Sequence, residues 1–204
     1  MSSTSTHDEH RDDIGSNMGM WMFIFSELLF FSGLFIVYAV FRSKYHDEFH
    51  LSSSQLNVFI GSLNTVLLMA SSMTITMAIT AMQKHSIKLA QRLTGITILL
   101  GIIFLVNKYF EWGHKIEHHI YPGSDFLMTF NHGEIMFFGL YYFMTGLHAL
   151  HIIVGLILLI IVYFRIGNKT IHPDHSTLLE NTSLYWHLVD LIWIFLFPLL
   201  YLIN

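Results

Sequence analysis

Fourteen histidines, fourteen carboxylates and no cysteine set the chemistry open to this chain of 204 residues. Without thiolates, disulfide scaffolds and thiolate metal sites are excluded. Glu27 stands about nine residues into the first apolar run, which at ~1.5 Å per helical residue is close to the middle of a bilayer. A charge there costs several kcal/mol, so this carboxyl group is either protonated or paired. Two roles stay open for it: a proton-exchanging group, or a neutral acid making one interhelical hydrogen bond. His148 and His151 follow at i, i+3 on one helix face with Met144 and Gly155. A proton relay, a haem ligand and a packed polar pair are all chemically open to them. A bis-histidine haem needs its second ligand on a facing helix, and His187 is the evident candidate. His148 lies about midway along its run, as Glu27 does, so a Glu–His contact would satisfy both without a full buried charge.

Other polar groups read as glue. His187 and Asp190 share a face at the opening of the last apolar run, beside Trp186, and a bond between them or to a neighbouring chain is expected. Asn57, Gly61, Asn64, Ser71 and Ser72 fall near one stripe of the second run, the small and polar face that close helix packing in lipid uses. The segment from Glu111 to His132 holds His114, His118 and His119 with Glu117 and Asp125. The adjacent His118-His119 pair fits no closed zinc spacing, and a wet extramembrane loop is the reading for the whole segment.

The elements that must position these groups follow from composition. Hydrophobic residues make up 53% of the chain and charged ones 12%, about half the share usual in soluble domains. Mean hydropathy is +0.55, and a core of this size cannot hide that much apolar surface from water. A net charge of −4 with no basic stretch argues against nucleic acid, and 15% aromatic residues argue against disorder. The chain reads as an all-α integral membrane bundle. Five stretches reach the ~20 residues that a spanning helix needs: 18–41, 56–82, 93–110, 134–164 and 184–203. Residues 1–17 read as a polar, solvated tail rather than a signal peptide, since no basic segment leads into the first apolar run and no cleavage site follows it.

Orientation rests on Lys and Arg. One side carries Arg11, Lys84, Lys88, Arg92, Arg165 and Lys169, the other Arg42, Lys44, Lys108 and Lys115, which predicts a cytoplasmic N-terminus and an outer C-terminus. There is no Walker motif, no G-x-G-x-x-G fingerprint and no H-E-x-x-H helix. No nucleophile has its own base, no inverted pair of broken helices points to a secondary transporter, and a partner subunit is favoured over a free-standing enzyme.

Four motifs, in order and on four different spans, then carry a family resemblance. They are Trp21-Met22-Phe23-Ile24-Phe25-Ser26-Glu27, Asn64-Thr65-Val66-Leu67-Leu68-Met69-Ala70-Ser71-Ser72, Thr145-Gly146-Leu147-His148-Ala149-Leu150-His151 and Tyr185-Trp186-His187-Leu188-Val189-Asp190-Leu191-Ile192-Trp193. From Met18 onward the chain resembles subunit III of the haem-copper oxidases, in the short form that lacks the first two of seven spans. The resemblance implies a non-catalytic subunit of a proton-pumping terminal oxidase in a bacterial inner membrane. Haem and copper would reside in subunit I and subunit II, with no cofactor or metal in this chain. Glu27 matches the family's carbodiimide-reactive intramembrane carboxylate. His151 and Arg165 match positions that contact a phospholipid headgroup, and Arg165 also suits an anionic phosphate on physical grounds. His148, Glu111, His187, Asp190 and Asn64 are taken as structural. In the long form a lipid-filled cleft opens between the first two helices and the rest; here another subunit would have to supply the missing wall. Ser26-Glu27 leans the electron donor towards cytochrome c over quinol. The rival readings are the accessory subunit of a nitric oxide reductase, a haem-b membrane anchor and a proton-coupled transporter using Glu27.

Overall fold

The structure, a computed structural model, describes residues 5–168 and 177–203. Lys169, counted above for orientation, and the first four residues of the polar tail lie outside them. The described residues form α1 (Ser5–Lys44), α2 (His46–Ser54), α3 (Val58–Gln83), α4 (Ile87–Glu117), a 3₁₀ turn at Leu127–Thr129, α5 (His132–Gly167) and α6 (Thr177–Tyr201), with no strand among them. Five of the helices are long and apolar enough to cross a membrane: Asn17–Lys44 of α1, then α3, α4, α5 and α6. Helices suit that solvent because each one satisfies its own backbone donors and acceptors.

The helices outrun their apolar cores. α1 reaches back through the polar residues to Ser5, α4 runs on to Glu117 and α6 starts at Thr177. Hydropathy marks where hydrocarbon begins, whereas a helix ends where its backbone meets a cap. Asn57 caps α3, its side-chain oxygen accepting from the N–H groups of Phe59 and Ile60 at 3.1 and 3.2 Å. Left-handed residues follow α3 and α4, at His85 (φ 57°) and His119 (φ 56°). The stretch between the first two apolar runs folds into α2 because Phe49 finds an apolar socket. Its buried ring meets the edges of Tyr38 and Phe137, each with centroids 5.4 Å away.

α3 and α4 form the tightest antiparallel pair, α4 packs on α5, and α6 lies against both α3 and α5. α6 is the central helix, with 56% of its apolar window buried, and α1 the peripheral one, with 17%. Trp186 of α6 pins the centre. A Cβ on Gly101 of α4 would fall 2.8 Å from its indole, and one on Gly155 of α5 would fall 2.9 Å away, so only glycine lets both backbones approach. The indole N–H then donates to the Ser71 hydroxyl of α3 at 2.9 Å. One side chain thus joins four spans.

Candidate functional site

Glu27 and His151 face each other across the junction of α1 and α5. His151 Nε2 lies 3.2 Å from Glu27 Oε2, and both side chains are largely buried. His151 Nδ1 lies 2.8 Å from the Leu147 carbonyl, which can only accept, so Nδ1 carries a hydrogen. Nε2 therefore either accepts from a protonated Glu27 or, in the imidazolium, donates to its carboxylate. In both cases one proton occupies the Glu27–His151 bond. The edge of Phe31 covers the imidazole at 5.5 Å, and the Tyr185 hydroxyl of α6 donates to the His151 carbonyl at 3.1 Å. Neither Glu27 nor His151 bonds another titratable side chain among the described residues.

His148, the alternative partner for Glu27, points elsewhere. It is fully buried, stacks on Trp193 at 5.2 Å and meets the edge of Phe104 at 5.7 Å. Both ring nitrogens are without a hydrogen-bond partner among the described residues. Three residues along a helix amount to ~300° of rotation, enough to send His151 to α1 while His148 enters the core.

His187 and Asp190 form no direct bond. His187 reaches across to α3 instead, meeting Ser72 Oγ at 3.3 Å and Thr76 Oγ1 at 3.2 Å, while Asp190 Oδ1 has no hydrogen-bond partner among the described residues. The polar stripe of α3 offers hydroxyls at a distance that the i, i+3 partner on the same helix does not match. Asn64 lies on that stripe and accepts from Asn107 of α4 at 2.9 Å, while Thr74 and Thr97 meet at 2.8 Å.

Glu111 requires a correction. Read from sequence as the start of a wet loop, it is buried inside the bundle, because α4 continues past it for another turn and more. Its Oε1 accepts from the hydroxyls of Tyr201 (2.5 Å) and Tyr141 (2.7 Å), and its Oε2 from Lys108 at 3.1 Å. Lys108 also donates to the Tyr201 oxygen at 2.6 Å and sits 4.9 Å from the Trp193 ring centroid. Lys108 and Lys115 were counted among the charges of one membrane side; both are buried. Their spacing from Glu111, at i−3 and i+4, places all three on one helix face, and that was the signal available in the sequence.

Arg165 ends α5 on an exposed position and makes no hydrogen bond or ion pair among the described residues. Next to it, a cavity of about 650 Å³ is bounded by Lys88, Gln91, Arg92 and Gly167. Among the described residues no three His, Asp or Glu side chains converge on a point where a metal ion could sit, and His114 and His118 meet only ring to ring, at 4.6 Å.

Residues 2–204 match the family profile described as cytochrome c oxidase subunit III. Among curated proteins, cytochrome c oxidase subunit 3 of the tick Rhipicephalus sanguineus is 35% identical over 198 residues, covering 92% of this chain and 70% of that protein. The subunit 3 of Corynebacterium diphtheriae is 31% identical, covering 92% of this chain and 88% of its own length. A probable cytochrome c oxidase subunit 3 of Mycobacterium tuberculosis is 30% identical, covering 99% and 94% respectively.

Proposed function

Because this chain belongs to the cytochrome c oxidase subunit III family, a family of helical membrane subunits of haem-copper oxidases, we propose that it works as a brace for subunit I. It is a multi-pass membrane protein that assembles with other oxidase subunits. In this reading subunit I and subunit II carry the haem and copper, and this chain contributes no redox centre to oxygen reduction. The membrane is a bacterial inner membrane, with the N-terminus on the cytoplasmic side. The names of the relatives favour the oxidase over a nitric oxide reductase. A haem-b anchor finds no support either. His148, His151 and His187 are committed to separate surroundings, with Trp193, Glu27 and the α3 hydroxyls respectively.

The observation that carries the proposal is the Glu27–His151 bond. It is an isolated, satisfied contact that ties the peripheral helix α1 to the rest of the bundle, which suits a lock better than a proton conduit. For lipid, Arg165 is the residue we propose to hold a headgroup phosphate, since its fork of donors has no partner among the described residues and stands at the end of a span. His151, the second position implied for lipid contact, has both ring nitrogens engaged.

Deleting this chain and following oxygen consumption from the first turnovers to exhaustion tests the proposal. The expected result is a near-normal initial rate followed by faster inactivation over repeated turnovers. An immediate loss of activity in a fully assembled remainder would refute the bracing role. Affinity purification through this chain should bring down a haem-copper subunit I, with the haem absorbance staying on that large subunit after separation.

A further inference from the structure

Where α2 gives way to α3, a cavity of about 440 Å³ opens beside the last turns of α4. Its polar lining is Gln55, Asn57, Glu111, His114 and Lys115. Lys115 is a cation only 7% exposed. Its ammonium makes one long hydrogen bond, 3.4 Å to the Gln55 carbonyl, and the rings of Phe138 and Tyr141 stand 5.6 and 5.7 Å away. It forms no ion pair among the described residues. An ammonium group has three donors, so this one is under-used.

Glu111 attracts Lys115 along the helix face but forms no ion pair with it. Both of its oxygens are occupied, by Tyr141, Tyr201 and Lys108. Two buried lysines thus share one carboxylate that is already paired, and the excess is positive. Burying an uncompensated cation is costly, and the cavity beside it is the natural place for a counter-ion. The rest of the wall suits an oxyanion. Asn57 uses its side-chain oxygen to cap α3, so its remaining polar group is the N–H₂ donor. The N-terminus of α3 adds the positive end of its dipole, and His114 stands exposed at the mouth. Lys115 lies two residues from the end of a helix long and apolar enough to cross a membrane.

We infer that this cavity binds a phosphate group, with Lys115 as the counter-ion and Asn57 and His114 as further donors. A phospholipid headgroup and free phosphate share this chemistry; the apolar part of the wall, Leu56, Ile60 and Phe110, favours the lipid. The site is distinct from Arg165, which lies at the opposite end of the bundle, and does not depend on the bracing role.

The test uses the intact oxidase complex, stripped of lipid in mild detergent and examined by native mass spectrometry. It is titrated separately with phosphatidylglycerol, diacylglycerol and inorganic phosphate. The expected result is one phosphatidylglycerol adduct that diacylglycerol does not reproduce. That adduct should be weakened at least about tenfold by Lys115→Gln and kept by Lys115→Arg. An adduct of inorganic phosphate with the same Lys115 dependence would support the site with free phosphate as its ligand. Should Lys115→Gln fail to assemble, His114→Ala at the exposed mouth decides, with about threefold weaker binding expected. Binding unchanged in the assembled variants overturns the inference. So does a carbodiimide cross-link from Lys115 to another subunit, which would make the counter-ion a partner's carboxylate.

Discussion

The single proton in the Glu27–His151 bond determines how each substitution at Glu27 should behave. Since the Leu147 carbonyl holds the hydrogen on His151 Nδ1, Nε2 of a neutral ring is an acceptor. A glutamine at position 27 can donate an amide N–H to it and keep the bond at nearly the same volume. Glu27→Gln is therefore expected to leave initial oxygen reduction close to wild type. Glu27→Ala leaves that nitrogen unpaired and a void beside it, a loss of roughly 1–3 kcal/mol for the polar group alone. It should inactivate sooner over repeated turnovers and shed this chain more easily in detergent. An oxygen-electrode trace run to exhaustion separates the two variants, and instant loss of activity in an assembled Glu27→Gln complex would make the residue an obligatory proton carrier. The Lys108–Glu111 pair obeys a different logic. Removing one member, as in Glu111→Gln, strands a buried charge at a cost of about 3–5 kcal/mol. Replacing both, Lys108→Met with Glu111→Leu, should cost less than either single change. Thermal denaturation midpoints of the purified complex in a double-mutant cycle measure that coupling.

At the scale of the element, the bundle is held by fit more than by greasiness, because lipid tails are as apolar as the core. Trp186 shows it: its indole occupies the gap that Gly101 and Gly155 leave and bonds Ser71 on a third helix. Gly101→Ala places a methyl group 2.8 Å from that ring and is expected to destabilise the fold by about 1–3 kcal/mol. Gly139→Ala is the control, since nothing lies within 4 Å of its added Cβ, and it should be neutral or slightly stabilising. Detergent-denaturation midpoints of the two variants make the comparison. The end of α6 shows the same economy of polar groups: its Leu199 carbonyl, in the last turn, accepts the Tyr38 hydroxyl of α1 at 2.6 Å.

For the whole molecule, the asymmetry between α6 and α1 matters most. α6 is wrapped on several sides, while α1 leaves Trp21, Met22, Phe25, Leu29 and Ile36 exposed on its outer face. In a membrane that face is available to lipid or to a neighbouring subunit, and a bracing subunit needs one. The topology carries a prediction of its own. Lys84, Lys88 and Arg92 crowd the short turn between α3 and α4, and Arg165 closes α5 at the same end of the bundle. The positive-inside rule predicts that this end is cytoplasmic, so a periplasmic alkaline phosphatase fused after Asn204 should be active and the same enzyme fused within the α3–α4 turn should not. The reverse pattern would invert the orientation.

The membrane class and the five spans were legible in the residues alone, because bilayer thickness imposes a length and an apolar composition that any local window of sequence reveals. The small and polar stripe of α3 also recurs visibly at helical spacing, and its Asn64, Ser71 and Ser72 meet α4 and α6. What no local window contains is direction around the helix and the neighbour it meets. Glu27 found His151 while His148 turned inward to Trp193, a choice made by where α1 lies against α5. Glu111 and Lys115 looked like loop charges because charge ends an apolar run. The hydroxyls of Tyr141 and Tyr201, and the lysine three residues away, let α4 carry that charge into the bundle. Only tertiary contact decides whether a polar residue near a helix end faces water or a partner, since its cost depends on groups from helices far away in the chain.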